Sequence, residues 1–214
     1  MILKKSDRLF FLLILIISLV PILIDLDNSL YNYLVVEDGV IEYLTALFLL
    51  ISSFICLKTF LNIKKKSILN LGILISAIAF FFGFGEEISW GQRILNYQTP
   101  LFFNDNNLQN ETNIHNLAIN GIKLNKWIFT YTLVFIFSFY FFVMPLLFKW
   151  NLLPKTIFNN FSFFIPTYFQ SFIFFLSTIF INLFKDSKIS EIWECSLAAT
   201  IFFVCLYPLN KKGN

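Results

Sequence analysis

The sequence predicts an all-α, polytopic integral membrane protein, a bundle of about six transmembrane helices, and three observations carry that expectation. The 214 residues are 57% hydrophobic and only 14% charged, with a mean hydropathy of +0.73; soluble domains carry about a quarter charged residues. The apolar residues come in runs of about 20, the length needed to cross roughly 30 Å of hydrocarbon. Lysines gather in short clusters that flank those runs, as the positive-inside rule requires.

Six spans are expected, at about 9–27, 39–61, 68–92, 127–149, 161–184 and 190–209, forming a single transmembrane domain over 1–214. Lys4, Lys5 and Arg8 precede the first apolar run as in a signal peptide. Ile24-Asp25-Leu26-Asp27 offers no small-residue cleavage site, so the segment reads as an uncleaved anchor. Pro21 is expected to kink it, which neighbouring helices tolerate. Trp127 and Trp150 bracket the fourth span in the manner of an aromatic belt. The Asn-rich connection at about 95–126 is expected to hold a short helix from about Leu108 to Ile119. Such a helix would put Glu111, Ile114, His115, Ala118 and Ile122 on one face. Cys56, Cys195 and Cys205 are odd in number and in no CxxC arrangement, which points to core packing rather than a disulfide framework or a zinc site.

Placing the N-terminus in the cytoplasm leaves eleven of the sixteen basic residues inside and returns the C-terminal lysines there as well. The expected location is the bacterial cytoplasmic membrane, multi-pass, with both termini cytoplasmic. A net charge of +3 is too small to argue for nucleic acid, and membrane lipid is the expected partner. The same topology puts twelve of the thirteen acidic residues outside, with Asp7 alone inside. Acidic residues contribute little to the positive-inside rule, so this bias needs a separate cause.

Carboxylates at the edge of a hydrocarbon layer are costly unless paired, hydrated or metal-bound. If the third helix continues through Gly85–Arg93, Glu86, Trp90 and Arg93 share one stripe, with Glu87 and Gly91 beside it. Gly83, Gly85 and Gly91 would let another backbone approach closely. Arg93 then neutralises one glutamate or holds an anionic headgroup, with Glu86 and Trp90 as further substrate contacts. Glu87, Glu111 and His115 are the expected catalytic residues. His115 is the only histidine in the chain, so any imidazole base must be this one. Glu42 and Glu194 lie deeper in apolar sequence than Glu37, Asp38 and Glu191, which helix dipoles explain.

Glu42, Glu87, Glu111, His115 and Glu194 form the expected metal set. Its carboxylate character suits a divalent cation such as Mg, Mn, Ca or Fe better than a thiolate zinc site, although Zn stays among the candidates. A standard di-iron site wants two Glu-x-x-His pairs, and only one histidine exists. The expected activity is metal-assisted or acid/base hydrolysis or group transfer on a lipid or lipid-linked substrate. The bland alternatives are a non-enzymatic carrier or an assembly subunit that uses the charges as interhelical ties.

Glu86-Glu87-Ile88-Ser89-Trp90-Gly91-Gln92-Arg93, followed by Gln109-Asn110-Glu111-Thr112-Asn113-Ile114-His115-Asn116-Leu117, resembles a signature in uncharacterised bacterial polytopic membrane proteins. The resemblance covers about the central third of the chain and implies no particular activity. A looser likeness is to the membrane-embedded, glutamate-dependent proteases that process prenylated proteins and bacteriocins. Those carry EE-x-x-x-R, then F-x-x-x-H and a further His or Asn. Here Arg93 follows Glu87 after five residues, Glu111 stands where the phenylalanine would be, and only Asn116 or Asn120 is available for the last position.

Overall fold

The computed structural model describes residues 4–63, 70–114, 116–119, 122–123, 132–150, 152 and 163–210. Helix α1 (Lys5–Leu19) runs on through a 3-10 turn, Val20–Ile22, into a last helical turn, Leu23–Leu26. Pro21 sits in the first positions of that 3-10 turn, where a missing N–H matters least, so the proline tightens the segment without ending it. Asp27 then caps α2 (Asn28–Val35) by accepting the Leu30 N–H at 3.1 Å. Helix α3 (Val40–Leu61) follows, and Glu42 in its first turn reaches back to the Asp38 N–H.

Helix α4 (Leu71–Glu87) packs along α3, tied by the Ser53 hydroxyl donating to the Ala77 carbonyl at 2.7 Å. Past it come a short helix α5 (Leu101–Asn106) and an antiparallel pair, β1 (Ala118–Ile119) with β2 (Ile122–Lys123). Helix α6 (Leu133–Lys149) contains a π-helical stretch at Phe139–Val143. Helix α7 (Tyr168–Ile181) opens on a capping box between Thr167 and Gln170, and α8 (Ile189–Leu206) completes the chain's helices among the described residues.

The core is built around α8, which packs on α1, α3 and α7. Cys195, Ser196, Ala198, Ala199 and Thr200 are all buried there, and small side chains let neighbouring helices approach. Hydrogen bonds between helices add to this: Ser177 to Ser196 at 3.0 Å and the Gln170 amide to the Phe203 carbonyl at 3.2 Å. All three cysteines are free and buried, as core packing requires, with Cys56 Sγ 3.9 Å from Cys205 Sγ. Large apolar side chains also cover the outside; Ile16, Phe54, Ile75 and Ile78 are 59–63% exposed. A surface of that kind suits lipid rather than water.

Lys5–Leu26, Asn28–Leu61 and Ile189–Leu206 are long and apolar enough to cross a membrane, and Leu71–Glu87 with Ser89–Leu95 adds a fourth if that bent pair is one span. The all-α expectation and three apolar spanning helices are therefore found. Six full spans are not found among the described residues: α6 and α7 are shorter apolar helices there, α7 having 14 residues against the roughly 20 a crossing needs. Residues 127–131, including Trp127, lie outside the described residues.

Two local expectations are corrected. The third helix does not run on to residue 92; it ends at Glu87, and the chain turns by 67° before the next short helical segment. Residues 108–114 and 116–119 do not form a helix either; the helix of that connection is α5, and a turn network follows it. Asn107 explains this, because its side-chain oxygen accepts the N–H groups of Gln109 and Glu111. Side-chain acceptors of this kind compete with helical hydrogen bonds.

Candidate functional site

The acidic residues meet at one end of the bundle, where α3 and α8 begin and α4 ends. The chain leaves α4 through Ser89 (φ 46°), Trp90 (φ 54°) and Gly91 (φ 75°), three consecutive left-handed residues. For a serine and a tryptophan this costs about 1–2 kcal/mol each, and surrounding contacts hold them there. The Trp90 ring folds back onto Gly85, where a Cβ would lie 2.8 Å from the ring. Its indole N–H donates to Glu86 Oε1 at 2.8 Å. Gly85 thus accommodates a side chain, rather than the neighbouring backbone expected from the sequence.

The Asn-rich loop closes over this turn. Ser89 Oγ donates to Glu111 Oε2 at 2.6 Å, and the Asn113 amide donates to both, each at 2.9 Å. Asn107 holds Asn113 through its carbonyl and side-chain oxygens, both at 2.9 Å. Gln92 accepts the Thr112 N–H at 2.7 Å, and Glu86 Oε2 accepts the Ile114 N–H at 2.7 Å. Ser89, Glu86, Asn107, Glu111 and Asn113 are all buried, so each polar atom removed from solvent needs these partners. Arg93 completes the clasp, pairing with Asp38, Glu37 and Glu111.

Several sequence expectations change here. Arg93 does not neutralise Glu86 or Glu87; its partners come from the α2–α3 connection and from the loop. Glu111 lies in the clasp, with its oxygens taken by Ser89, Asn113 and Arg93. Glu86, Trp90 and Arg93 do not share a helical stripe, although Glu86 and Trp90 remain bonded. His115 lies outside the described residues; its predecessor Ile114 is the residue that Glu86 holds.

Glu87 belongs to a different group. Glu87 lies in the field of Glu194, Glu191, Glu42 and Glu86. Glu194 in turn lies in the field of Glu191 and Glu42. Neither Glu87 nor Glu194 has a hydrogen-bond partner or a paired cation among the described residues. Glu42 differs, because its carboxylate accepts the Asp38 N–H. Repulsion of like charges in a poorly hydrated place is costly, and Glu87 and Glu194 meet it without a hydrogen-bond donor among the described residues.

The five-residue metal set is corrected accordingly. Glu111 is engaged in the clasp, whereas Glu42, Glu87 and Glu194 form the other group. Among the described residues no group of three or more His, Cys, Asp or Glu is arranged to hold a metal ion.

Two hollows adjoin the site. A small one of about 40 Å³ is lined by Glu37, Glu42, Gln109, Asn116, Lys188 and Glu191 among others. A larger one of about 700 Å³ lies between α6, α7 and the head of α8, and Glu194 is part of its wall. The lining around it is largely aromatic, with Ser138, Thr178, Asn182, Asp186 and Ser190 as polar points. At its rim Asp186 accepts the Lys188 N–H and the Tyr31 hydroxyl, each at 2.8 Å, and these donors hold its carboxyl below the usual aspartate range.

Sequence reasoning missed Asp38 as the partner of Arg93, Ser89 and Asn113 as ties to Glu111, and the whole larger cavity. The abundance of Asn was a usable signal, since asparagine favours side-chain-stabilised turns over helices. No protein-family model, curated protein or solved structure matches this chain.

Proposed function

We propose that the chain is a six-span protein of the bacterial inner membrane, with both termini cytoplasmic and its acidic end at the non-cytoplasmic face. In this reading the acidic end is an acid/base site for hydrolysis or group transfer on a lipid or lipid-linked substrate. The observation that carries it is the position of Glu194, a carboxylate without a partner among the described residues, beside Glu87 and on the wall of the larger cavity. Cavities of about 300–1,000 Å³ with mostly apolar walls and a few polar groups are typical ligand sites.

Glu87 acts as the base and takes a proton from water or an acceptor hydroxyl as its oxygen attacks. Glu194, in its protonated form and facing the cavity, gives a proton to the leaving oxygen or nitrogen. In hydrolysis the water hydroxyl ends on the attacked carbon or phosphorus and a hydrogen on the leaving group. His115 supplies the imidazole that exchanges protons with solvent. Glu111 and Arg93 have a positioning role, because the clasp fixes the turn that follows Glu87.

A second reading, a glutamate-dependent protease-like enzyme, draws support from the division between the tandem glutamates. Glu86 fixes the backbone next to His115, while Glu87 keeps its oxygens for chemistry. A peptide would then replace the lipid-linked substrate.

The test is incubation of the purified protein, in nanodiscs, with a bacterial total-lipid extract, followed by mass spectrometry of the lipids. A lipid converted by wild type, and left intact by Glu87→Gln and Glu194→Gln variants, is the expected result. An unchanged lipid profile with wild type, or conversion that survives both substitutions, overturns the lipid-enzyme reading.

A further inference from the structure

The two hollows at the acidic end share no lining residue. The smaller one opens beside Val36 and Gln109, both exposed, and reaches inward to Val35 and Ile41, both buried. Glu191 lines it, whereas Glu194, three residues further along α8, lines the larger cavity. Glu42 also lines the smaller hollow, and Glu42 belongs to the group around Glu87. The carboxylates of the acidic end therefore border two spaces of opposite character. One is about 700 Å³ and largely aromatic, the other about 40 Å³ and edged by carboxylates and amides.

Size and chemistry together select the occupant of the smaller space. Pockets for organic ligands run to about 300–1,000 Å³, far beyond it. A water needs about 10–15 Å³ and two to four polar partners, so about two or three waters fit. The lining supplies donors and acceptors alike. Asn116 Nδ2 donates to Gln109 Oε1, which leaves the Gln109 amide nitrogen to donate and the Asn116 oxygen to accept. Glu42 takes the Asp38 N–H, and Glu37 pairs with Arg93 at 3.3 Å. A cation would find these two carboxylates already engaged, while a water can use the lone pairs that remain to them.

We propose that the small hollow is a hydration site, and that it delivers water to the acidic end past Glu42, by a way separate from the larger cavity. This rests on the reading of the acidic end as an acid/base site and deepens it: lipid enters on the aromatic side, and the water from which Glu87 takes a proton enters on the polar side. Separate openings let a water-dependent step proceed beside a lipid without flooding the aromatic walls.

The experiment exposes the full chain, in nanodiscs, to a brief X-ray pulse, which makes hydroxyl radicals where water sits. Oxidised side chains are then located and counted by mass spectrometry. Val35 and Ile41 are 4% and 3% exposed, and Val204 and Ile73, at 0% and 1%, serve as controls of the same residue types. Val35 and Ile41 are expected to oxidise several-fold faster than those controls. In Gln109→Leu, which removes an amide and makes the mouth apolar, that excess should fall several-fold while the exposed Val36 keeps its rate. The same variant should turn over the lipid that wild type converts several-fold more slowly. Oxidation of Val35 and Ile41 no faster than Val204 and Ile73 overturns the hydration site, and this comparison in wild type does not depend on how any variant folds. An excess that survives Gln109→Leu overturns its assignment to this hollow. Lost labelling with turnover unslowed overturns the delivery of water from it. Fast labelling in a chain that converts no lipid overturns the enzyme reading and the use of this water, and leaves the hydration site standing.

Discussion

Glu86 and Glu87 are consecutive in sequence, yet they belong to opposite halves of the acidic end. Successive residues of a helix point about 100° apart, so the last turn of α4 sends one carboxylate into the clasp and the other toward α8. Glu86 finds the Trp90 indole and the Ile114 N–H. Glu87 finds Glu194, Glu191 and Glu42, and no donor among the described residues. On the clasp side the buried carboxylates Glu86 and Glu111 are matched by donors, while the Thr112 hydroxyl, buried in the same loop, has no hydrogen-bond partner among the described residues. On the α8 side carboxylates face carboxylates beside a large hollow, an arrangement that opposes folding and suits chemistry. The lesson is that an acidic cluster divides by its partners: satisfied members hold the fold, unsatisfied members are the candidates for function.

The largest effect should come from exchanging the two sides. Glu111→Ala removes the acceptor of Ser89, Asn113 and Arg93 at a buried position. Breaking such a group costs about 3–5 kcal/mol when fully buried; with Arg93 40% exposed, about 2–3 kcal/mol is expected after that discount. At roughly 2–4 °C per kcal/mol for a chain of this size, thermal unfolding in detergent should begin about 5–10 °C lower. Glu87→Gln should do the opposite, leaving stability within about 1 kcal/mol of wild type or raising it, because a charge is removed from like charges. Equal destabilisation by the two substitutions would break the comparison, since Glu87 would then be held by partners as Glu86 is.

A smaller effect isolates what the clasp maintains. Ser89→Ala and Ser89→Gly both lose the hydroxyl bonded to Glu111, so their difference reports the left-handed backbone at φ 46°. The glycine variant should be the more stable by about 1 kcal/mol, measured as the gap between their unfolding midpoints in denaturant. If alanine matches glycine, the turn does not keep its left-handed form, and the separation of Glu86 from Glu87 loses its cause.

Most of the helical architecture was legible. Apolar runs with charged edges announced α1, α3, α4 and α8, and the burial of the cysteines followed from their place in those runs. Three features were not. The break after Glu87 runs through Ile88-Ser89-Trp90-Gly91, where Gly91 alone is a local signal and Ser89 and Trp90 take left-handed backbone without one; the hydrogen bond that Ser89 donates to Glu111 holds it. The pairing of Arg93 with Asp38 joins positions 55 residues apart, beyond any helical spacing rule. The helical spacing of Glu111 and His115 predicts a helix in the loop, while Asn107 and Asn113 carry the competing turn chemistry. The cavity depends on how far α6 and α7 separate past Phe141, and periodicity says nothing of that distance.

The smallest expected effect concerns the link between the two halves. Asp186 accepts the Lys188 N–H and the Tyr31 hydroxyl, so it ties α2, on the clasp side, to the rim of the cavity. Those donors favour the carboxylate and hold the group below its ordinary value of 3.8. A carboxyl depressed in the folded state contributes stability that is present above its unfolded value and lost as pH falls through the folded one. The contribution is small, about 0.5 kcal/mol, because Asp186 is exposed to solvent. Asp186→Asn should therefore unfold slightly earlier than wild type at neutral pH, and the gap should close as the pH falls below the ordinary aspartate value of 3.8. A gap that persists unchanged in acid would mean that the asparagine disturbs the turn itself, and the tie between the halves would then rest on shape rather than on charge.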